Sequence, residues 1–459
     1  MLHTKNIIRL VYLCITAAII AGCGEGSDAP PANPVIKSFT ATPAIVSPGQ
    51  STTLSMAFTG GTGRIVIFGN NTTATRITFG NATTIRPKVN TTYTLTVTNR
   101  AGVKVSQTVV VKLSAIQARF SSSIGSTVDT RDNHTATFLD PGKVSGPNAG
   151  KVLLAGGGTG IVFQYRKSAE LYDPATSTFA ATGFMKYSSA SHTATLLNNG
   201  QVLFTGGWDG LKSHNEGQLY SPTTGSFAFT GSMSRPRSLH TATLLPDGTV
   251  LITGGYDGSV PLASAELYNP ATGLFSSTGP MAVARSGHTA TLVNIKGQPQ
   301  VLIVGGSSDS TLCELYDPVS KTFTATGRMT YLRSFHTATL LPDAKVLVAG
   351  GSSGPIAELY DPVTGTFGAT QPMTTVRAYH TATLLPDGRV LLAGGSDESA
   401  EFYDPDTRSF AETLRPMKEA RGSHTATLLP SVPGQPNVPT GIVLLVGGTG
   451  LKNRADLFR

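Results

Sequence analysis

Charged residues are scarce in this chain of 459 residues, making up 14% of it against about 25% in an average globular protein. This scarcity excludes long charged helices and coiled coils. The formal charge is +8, but the basic residues form no run, so we expect no nucleic-acid partner. Glycine (51) and proline (28) are abundant instead. This composition favours an all-β protein with many tight turns.

Cysteine is also rare. The three cysteines are Cys14, Cys23 and Cys313, and the first two lie in or at the end of an N-terminal leader. The mature chain therefore cannot hold a framework of disulfides, and Cys313 is left alone. Only one tryptophan is present, Trp208.

No apolar run is long enough for a comfortable membrane span. The longest starts at Leu10 and ends near Ile20, and it follows Lys5 and Arg9. Residues 1–22 are therefore typical of an export signal, and the polar residues 23–33 are typical of a flexible tether.

The end of this leader, Ile-Ala-Gly-Cys23, resembles the lipobox of a bacterial lipoprotein signal. The resemblance implies cleavage before Cys23, acylation of that cysteine, and a membrane anchor. Gly24 rather than aspartate follows it, which is compatible with sorting to the outer membrane. We therefore expect a protein of the bacterial cell envelope that is lipid-anchored to the outer membrane, on its periplasmic or its surface side.

Residues 34–113 alternate apolar and polar positions in about seven short runs, as in Thr53–Phe58 and Thr92–Val97. This pattern favours a small β-sandwich. The stretches Ser47–Leu54 and Thr91–Asn99 resemble bacterial Ig-like stalk domains. Met56 stands where many of those domains carry a core tryptophan.

The rest of the chain repeats itself. The tetrapeptide His-Thr-Ala-Thr recurs every 44–58 residues, at His134, His192, His240, His288, His336, His380 and His424. Each copy continues with an apolar run, a turn, a second apolar run that ends in Gly-Gly, a strand of the type Ala-Glu-Leu-Tyr, and a short strand with a phenylalanine. Four short strands per repeat and seven repeats predict a seven-bladed β-propeller.

The double glycine, the tyrosine strand and the Met-to-Arg connection resemble kelch repeats, and in particular the kelch domain associated with galactose oxidase. The family's usual tryptophan is replaced by phenylalanine, as at Phe275. The propeller is expected over residues 115–459. The last copy stops after its third strand, so residues 115–120 should supply the missing fourth strand and close the ring, because an open blade would expose strand edges. In that closure the Ig-like domain enters on the face of the first-to-second turns, and the Gly-Gly loops point away from it.

Three residue types recur at fixed repeat positions and have a structural interpretation. We expect the seven histidines to cap the inner strands by bonding to a neighbouring backbone, and the six repeated methionines to fill the core. The arginines three residues before the histidines should pair with the acids of the tyrosine strands, because blade 2 loses both together, with Ser189 and Gln218 in their places.

An enzymatic alternative stays open. Galactose oxidase and its copper-radical relatives need a thioether-forming cysteine, whereas Cys313 replaces the alanine of an Ala-Glu-Leu-Tyr strand and is expected in the core. Kelch proteins similar to sialate mutarotases are a second enzymatic precedent, and their chemistry needs no metal. We therefore predict no catalytic residues, no metal and no cofactor, with a carbohydrate-active propeller enzyme as the alternative.

Candidate ligand residues lie where the repeats differ, because sites are built on folds by local variation. The Gly-Gly loops are longest in blades 1–3, and the residues just before each histidine also vary. The predicted ligand-binding residues are Tyr165, Trp208, Asp209, Lys212, Tyr256, Asp257, Phe335 and Tyr379. Aromatic side chains beside acids and amides suit sugars or peptides. The sequence therefore predicts a monomeric, lipid-anchored binding protein with a glycan or protein ligand.

Overall fold

The computed structural model describes residues 33–46, 52–60, 62–68, 76–77, 82–85, 91–113, 120–121, 125–159, 164–307, 310–395, 397–430, 441–450 and 453–459. The chain divides into two compact units, one within residues 1–113 and the other chiefly residues 114–459. Within the described ranges, no helix is long and apolar enough to cross a membrane. Cys23 lies outside these ranges.

The first unit contains two β-sheets. Its strands are β1 (Val35–Thr42), β2 (Ile45–Val46), β3 (Thr52–Thr59), β4 (Thr62–Phe68), β5 (Arg76–Ile77), β6 (Ala82–Ile85), β7 (Thr91–Thr98) and β8 (Lys104–Leu113). The sheet orders are β1-β3-β6 and β2-β8-β7-β4-β5. Alternate residues of β3 and β7 are buried, and Met56 packs in one cluster with Leu54, Tyr93 and Leu95. The Ig-like assignment of this unit stays a prediction.

The second unit is a propeller of seven four-stranded blades. Blade 1 is β10 (Thr135–Phe138), β11 (Val152–Ala155), β12 (Ala169–Asp173) and β13 (Thr178–Ala181). Blade 2 is β14 (Thr193–Leu196), β15 (Val202–Thr205), β16 (Glu216–Ser221) and β17 (Ser226–Ser232). Blade 3 is β18 (Thr241–Leu244), β19 (Val250–Thr253), β20 (Ala265–Asn269) and β21 (Leu274–Ser277). Blade 4 is β22 (Thr289–Ile295), β23 (Gln298–Val304), β24 (Leu312–Asp317) and β25 (Thr322–Arg328).

Blades 5 to 7 follow the same plan. Blade 5 is β26 (Thr337–Leu340), β27 (Val346–Ala349), β28 (Ala357–Asp361) and β29 (Thr366–Ala369). Blade 6 is β30 (Thr381–Leu384), β31 (Val390–Ala393), β32 (Ala400–Asp404) and β33 (Ser409–Glu412). Blade 7 is β34 (Thr425–Leu429), β35 (Ile442–Val446), β36 (Ala455–Phe458) and β9 (Phe120–Ser121). Neighbouring strands of every blade are antiparallel, and the sequence-based prediction of a seven-bladed all-β propeller is confirmed.

Blade 7 is completed by a strand from the start of the unit. Phe120 pairs with Phe458 and Ser121 with Leu457, and the rings of Phe120 and Phe458 lie 5.0 Å apart. The last blade thus gains its outer strand from the segment before the first repeat. Residues 115–119, which were predicted to be part of this strand, lie outside the described ranges.

The core lies between adjacent blades. The second strand of each blade is buried on both faces, because each face packs against a neighbouring blade. Phe204 and Tyr220 of blade 2, for example, share a cluster with Leu153 of blade 1, and Met185 lies in the same cluster. The repeat methionines are 2–3% exposed, so their prediction as core residues is confirmed. Cys313 is also buried, in the cluster between blades 4 and 5.

Candidate functional site

The Gly-Gly pairs are required by close contacts between blades. In blade 5, Gly350 and Gly351 both have positive φ angles, +70° and +72°. A Cβ atom on Gly350 would lie 2.4 Å from the carbonyl oxygen of Arg377 and 2.7 Å from Cε1 of His380, which belongs to the next blade. Only glycine permits both this backbone conformation and this approach. The same contact recurs at the first glycine of the other blades.

The repeated histidines form a closed ring of contacts between blades. Nε2 of His240 is 3.0 Å from Oγ1 of Thr193, the threonine that follows the histidine of the preceding blade. The ring closes between His134 and Thr425 of blade 7, also at 3.0 Å. The partners of Nε2 are therefore threonine side chains, and His192 also has a hydrogen bond to the backbone of Ser189, the type of partner that was predicted. Sequence order alone does not say which neighbouring group the imidazole reaches.

These imidazoles are neutral. Burial and the charge of the nearby arginines lower the pKa of His288, His336, His380 and His424 to about 3. Burial lowers the pKa of His192 to about 4, and the pKa values of His134 and His240 are also well below 6.5. Nδ1 has no hydrogen-bond partner in the six histidines other than His192. Because a buried N–H without a partner is costlier than a bare lone pair, we place the proton on Nε2, donated to threonine, in the six histidines other than His192, which also bonds to the backbone of Ser189.

The repeated arginines are buried and paired, as predicted. Arg377 donates from Nε to Glu401 at 2.6 Å and from Nη1 to the carbonyl oxygen of Gly394 at 2.7 Å. Equivalent ion pairs join Arg131 to Glu170, Arg237 to Glu266, Arg285 to Glu314, Arg333 to Glu358 and Arg421 to Asp456. With their side chains 0–1% exposed, the arginines join the segment that enters each blade to the third strand of that blade and are not available as an anion-binding crown.

A second closed ring is made by the backbone. The residue before each repeat histidine donates its N–H to the carbonyl oxygen of the equivalent residue in the preceding blade, at 2.9–3.0 Å. All seven have φ between +48° and +65°. We call them the mouth ring; its members are Asn133, Ser191, Leu239, Gly287, Phe335, Tyr379 and Ser423. This conformation costs a residue other than glycine about 1–3 kcal/mol, so the side chains at Leu239, Phe335 and Tyr379 are not explained by backbone stability.

The Gly-Gly loops lie on the same side of the propeller as the mouth ring. The backbone of Trp208 pairs with Ala190, and that of Tyr256 pairs with Ser238, each next to a mouth-ring residue. The structure therefore brings the predicted loop residues and the predicted Phe335 and Tyr379 to one face. We call it the loop face.

Three predicted aromatic residues follow one another along blades 1–3. Tyr165 lies against the blade 2 loop, where a Cβ on Gly210 would be 2.7 Å from its ring. Trp208 lies against the blade 3 loop in the same way, near Gly258. Tyr256 is next, and its hydroxyl donates to the carbonyl oxygen of Ser259. All three are half-buried, so each keeps part of its ring available on the loop face.

The arc of aromatic residues ends at a depression. Tyr256 pairs through its backbone with Pro261, which lines an open depression of about 450 Å³ together with Val283, Gly306 and Ser310. This volume is within the range of small-ligand sites. It lies between blades 3 and 4.

The predicted acids of these loops already have partners. Oδ1 of Asp209 accepts the N–H groups of Leu211 and Lys212, and Oδ1 of Asp257 accepts those of Ser259 and Val260. Oδ2 of Asp257 pairs with Arg235 at 2.7 Å. These backbone N–H groups lower the pKa of both carboxyl groups, against the opposing effect of burial. The two aspartates therefore stabilise their own loops. Lys212, by contrast, is exposed to solvent.

Sequence comparison agrees with this geometry. Residues 237–282 match the family model of the kelch motif. The match runs from Arg237 through blade 3 to the methionine Met281, and so includes one Gly-Gly pair and one tyrosine strand. A search of curated proteins finds no match to the chain.

Blade 2 departs from the other blades. Oγ of Ser189 donates to the carbonyl oxygen of Gly206, and Oε1 of Gln218 accepts the N–H of Lys186. The hydroxyl of Tyr187 donates to the carbonyl oxygen of Glu216 at 2.7 Å. In the other blades an arginine donates to the two equivalent carbonyl oxygens, as Arg333 does to Gly350 and Ile356 in blade 5.

Tyr187 is part of a cluster that sequence reasoning missed. Its ring stacks on the imidazole of His214 at 3.7 Å. Nε2 of His214 is 2.9 Å from Asp209, and Nδ1 is 3.3 Å from Glu216. His214 is 5% exposed. The sequence feature that could have revealed this cluster is the pair Ser189 and Gln218. A blade that lacks its arginine must fill the space of the arginine side chain with other residues.

Proposed function

We propose that this chain is a lipid-anchored envelope protein whose kelch propeller binds a glycan or a protein through the loop face. A kelch propeller is suited to binding and interaction, since its rigid blades hold variable loops on one side. The finer parts of the proposal are the anchor at Cys23, the stalk-like first unit and the identity of the ligand. They derive from the leader, from the strand pattern of residues 34–113 and from the loop chemistry.

The observation that carries the proposal is the arc of Tyr165, Trp208 and Tyr256. Two of these rings lie against a glycine of the next loop, and the loops of blades 2 and 3 are fixed by their own aspartates, Asp209 and Asp257. A pre-organised row of aromatic faces loses little entropy on binding. Such faces contact the apolar side of a sugar ring or an apolar side chain equally well.

Binding is favoured over catalysis by the contacts of His214, the centre of the one acid–base cluster among the described residues of these loops. His214 lies between Asp209 and Glu216, which is the composition that a hydrolytic site would need. However, both of its ring nitrogens are engaged by carboxylates, and the ring is stacked beneath Tyr187. An imidazole held in this way stabilises a loop and has no free nitrogen to offer to a substrate.

The experiment is a glycan array and a pull-down with the propeller, followed by titration of the variants Trp208→Ala and Tyr256→Ala. Each truncation at a binding hot spot should weaken binding about tenfold or more. Leu274→Ala is the matched control, because Leu274 is 63% exposed on the outer strand β21. Binding that survives both aromatic truncations would place the ligand elsewhere.

The anchor is tested separately. Cys23→Ser should move the protein from the detergent phase to the aqueous phase in a partition assay, because it removes the site of acylation. Unchanged partitioning would overturn the lipoprotein assignment without affecting the loop-face proposal.

A further inference from the structure

The mouth ring is asymmetric in a way that its backbone does not require. Gly287 shows that glycine, the residue best suited to positive φ, is accepted at this position. Three members of the ring are nevertheless large and apolar, and the three in blades 7, 1 and 2 are small and polar: Ser423, Asn133 and Ser191. The large side chains are therefore placed against the local backbone preference, which is a feature of functional positions.

The aromatic members are stacked in one direction around the ring. The Phe335 ring lies over Gly287, where a Cβ would be 2.8 Å from it. The Tyr379 ring then stacks on Phe335 at 4.2 Å with an interplanar angle of 18°. The stack stops there, because the next member is Ser423, which has no ring.

The outer side of this stack is open. Tyr379 is 45% exposed although its inner face is covered by Phe335. The next members of the hydrogen-bonded backbone ring are Ser423 and Asn133, and Nδ2 of Asn133 donates to Oδ1 of Asp132 at 3.3 Å. A flat aromatic face is thus followed by small hydrogen-bonding groups, and none of the seven mouth-ring side chains is charged.

We infer that the mouth ring is a binding subsite for an uncharged sugar residue, which stacks on the open face of Tyr379 and bonds through its hydroxyl groups to Ser423 and Asn133. A pyranose has the required two kinds of surface, an apolar C–H face and a rim of hydroxyl groups. An anionic sugar would find no cationic side chain within the ring. This inference deepens the proposed function, since it selects a glycan and adds a second contact area to the arc of blades 1–3.

The test is titration of neutral and anionic oligosaccharides with the full chain and three variants. Tyr379→Asn removes the ring but keeps a side chain that the chain itself uses at this position in blade 1, so the fold is expected to persist. It should weaken binding of neutral oligosaccharides at least tenfold. Tyr379→Phe keeps the stacking face and should bind within about twofold of the parent. Ser423→Trp continues the stack over the open face and should abolish binding.

The outcomes separate this subsite from the broader proposal. If Trp208→Ala abolishes binding of a neutral sugar and Tyr379→Asn changes nothing, the loop-face proposal stands and the mouth-ring inference is wrong. The inference is also overturned if only anionic sugars or a protein bind, or if Tyr379→Phe loses as much affinity as Tyr379→Asn. If no glycan and no protein binds at all, the proposed function itself fails.

Discussion

The Tyr187 hydroxyl donates to the carbonyl oxygen of Glu216 at 2.7 Å, and thereby takes a position that arginine occupies in the other blades. One buried guanidinium has been replaced by two hydroxyl groups, those of Tyr187 and Ser189, and its acid has been replaced by the neutral Gln218. In blade 2, uncharged side chains therefore replace the arginine–acid ion pair that is present in the other blades.

The same substitution can be transferred to blade 6. Arg377→Ser leaves the buried Glu401 without its partner and should cost about 3–5 kcal/mol of unfolding free energy. Adding Glu401→Gln should restore part of the loss, and adding Thr375→Tyr at the position of Tyr187 should restore more. Denaturant unfolding measures all three. Equal losses in the single and double variants would contradict an ion-pair role.

The neutral histidines make stability strongly dependent on pH. Their folded pKa values lie below 6.5, so protons bind more tightly to the unfolded chain. Their contribution is complete above pH 6.5 and is lost as the pH falls below it, towards about 3 for His288, His336, His380 and His424. A histidine that is neutral in the folded protein and charged in the unfolded chain adds a slope of about 1.4 kcal/mol per pH unit. Melting temperatures between pH 7.5 and 4.5 should therefore fall steeply.

The variant His380→Gln tests whether the histidines cause this pH dependence of stability. It destabilises the protein at pH 7.5, but it should reduce the slope of unfolding free energy against pH by about one seventh. A slope that does not change would show that carboxyl groups dominate the acid response. A melting temperature that is the same at pH 7.5 and pH 5 would show that the imidazoles are not buried in the neutral form.

The double glycine is tested within one blade. Gly350→Ala places a methyl group 2.4 Å from a backbone oxygen at a φ of +70°, so both sterics and backbone strain oppose it. We expect a loss of at least about 3 kcal/mol. Gly368→Ala in β29 is the matched control, because no atom lies within 4 Å of its Cβ position. The control should be within about 0.5 kcal/mol of the parent. Similar losses in both variants would indicate a general sensitivity of blade 5.

Much of the propeller could be predicted from the sequence because it repeats. Seven copies fix the strand order, and the joint change of Ser189 and Gln218 identifies the partner of the arginine. The mouth ring could not be found in this way. Only Gly287 and Asn133 suggest a positive φ, and Leu239, Phe335 and Tyr379 suggest the opposite, so the conformation is imposed by the backbone ring and not by local preference.

Comparison of the repeats also identified part of the candidate site. The aromatic residues were found because they interrupt the repeat. The roles of Asp209 and Asp257 in their own turns were missed, although Asp-Gly at 209–210 and 257–258 is a common turn signal. The contact of His214 with Asp209 depends on the loop conformation, which no periodic pattern encodes.

The closing strand offers the last test. β9 adds only Phe120 and Ser121 to blade 7, yet it covers the outer edge of β36. A chain that begins at Gly125 keeps every other blade strand and loses this one. It should melt several degrees lower and aggregate more readily, because β36 then presents unpaired N–H and carbonyl groups. Phe120→Ala in the full chain should cause a smaller loss, since it removes the contact with the Phe458 ring but leaves the backbone pairing. Calorimetry and light scattering measure the two effects. If the shortened chain has the same melting temperature as the parent, the propeller is stable without its closing strand, and the pairing of β9 with β36 does not contribute to stability.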